Sequence, residues 1–150
     1  MVTMVGMQGD FSSAVKDLIE LEYDTVEAYE AALNRLDNES YKKKLQEFLG
    51  DHRRHIQEFS NLLRTHEEEA PTGPSVGKQW ITKGKVVLAS MVGDKTILSA
   101  MSSNEIDTNT AYERIQEFKD IWDDAHDLID RAFEDEKRHK AWLDAEIKVS

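Results

Sequence analysis

The chain has 150 residues, enough for one domain with a continuous core and too few for a second catalytic domain. Its net charge of −11, with basic residues scattered as isolated pairs such as Arg53-Arg54, leaves no cationic stripe, so neither nucleic acid nor an anionic membrane is expected as a partner. The absence of cysteine excludes disulfides, thiolate metal sites and iron–sulfur clusters; any metal must take oxygen and nitrogen ligands.

Met1 to Asp10 lacks the charged start and long apolar run of an export signal, so a cytoplasmic location is expected. A first helix is predicted over about 12–36, where Val15, Leu18, Glu22, Val26, Tyr29, Leu33 and Leu36 recur at gaps of three and four. Asp37-Asn38-Glu39-Ser40 supplies turn and cap chemistry, and a second helix over about 40–67 carries Tyr41, Leu45, Phe48, His52, His55, Phe59 and Leu62. The short connection makes these two helices antiparallel neighbours.

From about 68 to 94 the periodicity breaks at Pro71, Gly73, Pro74, Gly77, Gly84 and Gly93, which predicts a long crossover holding one short helix. Its apolar patch, Val86 to Ala89 with Met91-Val92 beyond, falls far short of the roughly 20 residues that span a bilayer. Asp94 is placed to cap a third helix over about 95–118, with Leu98, Met101, Glu105, Thr108, Tyr112 and Ile115 on one face. A fourth, over about 123–147, opens at Asp123 or Asp124 and carries Ala125, Ile129, Ala132, Glu136, His139 and Leu143. Nothing between Phe118 and Asp124 marks the boundary, since neither glycine nor proline occurs there.

The two halves repeat. Glu22 to Glu30 matches Glu105 to Glu113 at six of nine positions, and Asp51-His52-Arg53-Arg54-His55 parallels Asp135-Glu136-Lys137-Arg138-His139. Glu22 and His55 lie 33 residues apart, Glu105 and His139 34. The repeat unit is a whole helical hairpin.

Six stripe positions are polar where a core takes aliphatics: Glu22, His52, His55, Glu105, Glu136 and His139. Singly, each has a bland explanation. A lone Glu-x-x-His often lies on a solvated face, and a core histidine is more often hydrogen-bonded than a ligand. Tyr29 and Tyr112 fill space in most helices, and Glu67-Glu68-Glu69 and Asp123-Asp124 read as solvated ends. As a set, duplicated and near mid-helix in all four stripes, the six imply an interior that must neutralise three carboxylates, most completely with a metal ion. Glu136 and His139, three apart, converge from one helical face, as do His52 and His55.

The spacing Glu22 to Tyr29 after Leu21, its repeat Glu105 to Tyr112, and Asp135-Glu136-Lys137-Arg138-His139 resemble the first, third and fourth helices of the ferritin-like superfamily, which includes bacterioferritin and rubrerythrin. The resemblance spans roughly Phe11 to Ile147. It is nearest to small bacterial ferritin-like proteins of undefined activity that carry an Asp-His-Arg-Arg-His run on helix two. It implies an all-α, ferritin-like four-helix bundle of two similar hairpins, forming one domain over 1–150. It further implies a di-iron centre, with manganese or zinc as alternatives, in which Glu22 and Glu105 are terminal carboxylate ligands. Glu136 would be a bridging carboxylate, His55 and His139 imidazole ligands, and Tyr29 and Tyr112 hydrogen bonders behind them.

His52 departs from that pattern, standing where the superfamily has a second bridging glutamate. An imidazole normally offers one nitrogen to one metal, so one bridge is expected to be lost. The ligand charge falls to −3 from the superfamily's −4, and three histidines move the preference toward zinc, copper or nickel. Two functions stay open: a ferritin-like metal-binding protein acting as a di-iron oxidase or peroxidase, and a non-catalytic helical bundle serving as a stress or interaction protein. Mineral storage is disfavoured, because no fifth helix is expected after the fourth, and a homodimer is the expected assembly.

Overall fold

The computed structural model describes Val5 and residues 9–74 and 91–149. The short helix expected in the crossover lies outside the described residues. The architecture is an all-α four-helix bundle: α1 Phe11–Arg35, α2 Glu39–Thr65, α3 Asp94–Ile115 and α4 His126–Lys148, the last preceded by a 3₁₀ turn at Asp123–Ala125. Among the described residues, no helix is long and apolar enough to cross a membrane.

α1 starts where Asp10 accepts a hydrogen bond from the Ser13 N–H at 2.8 Å, and α2 where Asn38 accepts one from Tyr41 at 3.1 Å. Asp94 does not cap its own helix. Gly93, at φ 97°, occupies that position, and the Asp94 carboxylate accepts the Asp37 and Asn38 N–H groups at 2.9 Å each, tying the α1–α2 turn to the start of α3. α2 ends in a Schellman motif: Glu68 N–H donates to Leu63 and Glu67 N–H to Arg64, with Glu67 held at φ 59°.

α1 pairs with α2 and α3 with α4, and the two hairpins meet mainly along α1 and α3 and more sparsely along α2 and α4. The core falls into two apolar clusters. One gathers Phe11, Val15 and Leu18 of α1 with Phe59 and Leu63 of α2, Tyr112 and Ile115 of α3, and Ile129 of α4. The other gathers Tyr29 and Leu36 with Leu45, Phe48, Ile97, Met101 and Leu143. α2 therefore ends at the first cluster while α3 begins at the second. The end of α2 and the start of α3 thus lie at opposite ends of the bundle, about 40 Å apart for a helix of this size.

The buried stripes of α2, α3 and α4 follow the predicted registers, except that Tyr41 is only partly covered. On α1, Val26 and Leu33 are only partly buried, and Thr25 and Ala32 take the interior positions. Thr25 is accommodated because its hydroxyl donates to the Leu21 carbonyl at 2.9 Å. α3 stops at Ile115, short of the expected 118, because Phe118 and Trp122 turn back to pack edge-on against Phe11 while Trp122 stacks on His66 at 3.7 Å between ring centroids.

Candidate metal centre

Between the two apolar clusters every helix turns a polar residue inward. Glu22 comes from α1, His52 and His55 from α2, Glu105 from α3, and Glu136 and His139 from α4. None is more than 1% exposed. The helical period does this locally: each side chain continues its own helix's apolar stripe, so packing the stripes together brings all six to one level.

Their atoms form two overlapping groups that could each hold a metal ion, Glu22, His52, His55 and Glu136 in one, His52, Glu105, Glu136 and His139 in the other, with ligand atoms within 4.8 Å of one another in each. In the first, His55 Nδ1 lies 2.9 Å from Glu22 Oε2 and 3.4 Å from Glu136 Oε1, and His52 Nδ1 lies 3.1 Å from Glu22 Oε2. In the second, His52 Nε2 lies 3.1 Å from Glu105 Oε1, and His139 Nδ1 lies 3.6 Å from Glu105 Oε1 and 3.7 Å from Glu136 Oε2. His52 and Glu136, repeat mates in sequence, belong to both.

A ring of supporting groups surrounds these six. His139 Nε2 meets Asp51 of α2 at 2.8 Å, and His55 Nε2 meets Asp135 of α4 at 2.9 Å, so each histidine is held by the aspartate of the facing helix. Both Nδ1 atoms are thereby turned inward. Arg138 donates to Asp51 at 2.7 Å and to Asp135 at 3.1 Å, while Arg54 pairs with Asp135 and, at 3.2 Å, with Asp51. The aspartates are 14% and 19% exposed and the arginines 45% and 49%, so this quartet closes the loose α2–α4 seam over the centre. Asp51 and Asp135 were visible in sequence only as the shared start of the two Asp-x-x-Arg-His runs. Their partners lie on the opposite hairpin, which spacing along one helix does not disclose.

The two tyrosines differ. Tyr29 donates to Glu105, and its ring lies 5.0 Å from that of His52. The Tyr112 hydroxyl, expected to do the same on the other side, is buried without a hydrogen-bond partner. Thr108, not singled out in the sequence as a supporting group, reaches Glu105 Oε2 at 3.0 Å and Glu136 Oε2 at 3.1 Å.

Without metal, protons hold this interior together. Burial alone would depress His52, but the surrounding carboxylates of Glu136, Glu22 and Glu105 outweigh it and hold its pKa well above the imidazole range. His55 and His139 are likewise raised, against burial, to about 11 and about 10, His55 chiefly by the charge of Glu22 and His139 chiefly by its hydrogen bond to Asp51. Burial pushes Glu22 up, yet the charges of His52 and His55 bring it to about 2. Glu136 goes the other way, to about 7, because burial and the charge of Glu105 both favour its protonated form.

That proton-held network is incomplete. Glu136 Oε1 and His139 Nδ1, both pointing into the cluster, have no hydrogen-bond partner. A carboxylate oxygen and, once its proton is displaced, a ring nitrogen left open in one fully buried cluster are what a cation would satisfy, so the residues present fit a metal. A family model described as a domain of unknown function (DUF2383) matches residues 10–118, which take in α1 to α3 and four of the six residues. No curated protein and no solved structure matches the chain.

Proposed function

The chain belongs to the DUF2383 family, and we propose that this member is a metal-binding protein of ferritin-like type, with a two-ion carboxylate and histidine centre in mid-bundle. The observation that carries the reading is the pair of open atoms, Glu136 Oε1 and His139 Nδ1, within two ligand groups that share residues. Glu22 and His55 would serve one ion, Glu105 and His139 the other, and Glu136 would reach both.

Iron is the metal we propose, with manganese or zinc as alternatives. An iron pair, when bound, would supply the electrons for reducing dioxygen or peroxide, and an oxidase or peroxidase is the activity proposed on that basis. The protein's own residues exclude bulk water with apolar clusters on both sides, orient the histidines through Asp51 and Asp135, and hold Glu105 through Tyr29.

A second reading, a non-catalytic bundle with a polar core, is favoured by one observation: both nitrogens of His52 are already hydrogen-bonded to carboxylates without metal. Elemental analysis of protein purified without chelator separates the two. The metal reading expects about one to two transition-metal ions per chain. Less than about a tenth of an ion after growth in supplemented medium, with no uptake on reconstitution, overturns it.

A further inference from the structure

The three histidines of the centre are not equivalent. His55 and His139 each point Nδ1 inward and spend Nε2 on an aspartate outside the cluster, the ordinary arrangement of a terminal imidazole ligand. His52 has no outward partner among the described residues. Its Nδ1 faces Glu22 Oε2 at 3.1 Å and Glu136 Oε1 at 3.3 Å, and its Nε2 faces Glu105 Oε1 at 3.1 Å. The ring thus stands between the two ligand groups with one nitrogen directed at each, fully buried and packed 5.0 Å from the Tyr29 ring.

We infer that His52 is a bridging ligand, whose two ring nitrogens bind two different metal ions as an imidazolate. The inference rests on the metal reading and deepens it. It also reverses the sequence-based expectation that a histidine at this position removes a bridge. Glu136 supports the assignment: it is the repeat mate of His52 and is divided in the same way, Oε1 lying 3.4 Å from His55 Nδ1 and Oε2 3.7 Å from His139 Nδ1. Each ion then receives one terminal carboxylate, one terminal imidazole, one nitrogen of His52 and one oxygen of Glu136.

The metal-free ring carries a proton on each nitrogen, so ligation through both releases two protons to solvent, one as each ion enters. The ring becomes an anion, and with the three carboxylates the ligand charge returns to −4, matching two divalent ions. Because the lone pairs of an imidazolate diverge while those of a carboxylate can converge, this bridge suits a wider pair than two glutamates would. Nitrogen ligation also favours copper and zinc over the harder ions.

The test is copper(II) loading of the metal-free full chain, followed by bound-copper analysis and low-temperature electron paramagnetic resonance. The expected result is two coppers per chain with a signal well below that of two independent spins, because an imidazolate couples them antiferromagnetically. In His52→Gln, which cannot bridge in this way, only Glu136 still links the two ions, so the coupling should weaken and the signal per copper should rise. Two uncoupled coppers in the wild type, or unchanged coupling in His52→Gln, overturns the bridge. A single copper in the wild type overturns the bridge and leaves the metal reading standing, whereas no uptake of copper, iron, manganese or zinc removes both. Should His52→Gln fail to fold by circular dichroism, His52→Glu keeps a two-sided ligand and must change the size of the coupling; coupling identical to the wild type counts against the proposal.

Discussion

His55 on α2 meets Asp135 on α4 at 2.9 Å, and the same contact is made in reverse by His139 on α4 and Asp51 on α2. Each hairpin therefore orients the other's histidine. Asp51→Asn and Asp135→Asn keep the shape of the side chain but remove the charge that fixes the ring. Each is expected to lower metal affinity about 10- to 100-fold with helix content unchanged, measured by competition with a chromophoric chelator. Affinity equal to wild type in both variants would mean that the aspartates merely close the seam.

Stability and metal affinity should depend on pH with opposite signs. His55 and His139 have folded pKa values raised from 6.5 to about 11 and about 10, so their stabilising contribution is complete below about 6.5 and is lost as pH rises toward those values. Glu136, raised from 4.5 to about 7, likewise stabilises the fold less as pH climbs through that interval. The metal-free protein should unfold at progressively lower denaturant concentration from about pH 6 to pH 10. Metal binding must displace these protons, so affinity should rise over the same range. Parallel denaturant and metal titrations check both signs.

Substitution at the two kinds of histidine should separate bridging from terminal roles. His139→Ala deletes an inward Nδ1 and is expected to weaken binding of every metal by more than about tenfold. His52→Glu exchanges a nitrogen bridge for a carboxylate bridge. It should keep two ions per chain, bind iron more tightly relative to copper or zinc than the wild type does, and raise oxygen-dependent iron oxidation followed by absorbance. Retention of full metal binding by both variants would leave the six residues as a polar core.

Away from the centre, Glu67 sits at φ 59° in the motif that ends α2. Glycine adopts that conformation without steric cost, and Glu67 is exposed, so Glu67→Gly should stabilise the protein by about 0.5–1 kcal/mol in denaturant unfolding. A destabilised variant would show that the Glu67 side chain contributes more than its backbone strain costs.

Gaps of three and four residues determined the four helices and brought Glu22, His52, His55, Glu105, Glu136 and His139 onto inward stripes, because helical period and burial are local properties of a chain. The repeat of Glu22 to Glu30 in Glu105 to Glu113 likewise discloses two hairpins. Contacts between helices were a different matter. Thr25 and Ala32 displace Val26 and Leu33 from the interior because the rotation of α1 is set by its neighbours, not by hydrophobicity alone. The end of α3 at Ile115 is set by aromatic residues docking on Phe11 and His66, with no glycine or proline to announce it. At the centre, spacing placed His52 on the right face but said nothing of its second nitrogen. Only the packing of α2 against Glu22 of α1 and Glu105 of α3 turned both ring atoms toward carboxylates, since the direction of a side-chain atom is decided by what surrounds it from other helices.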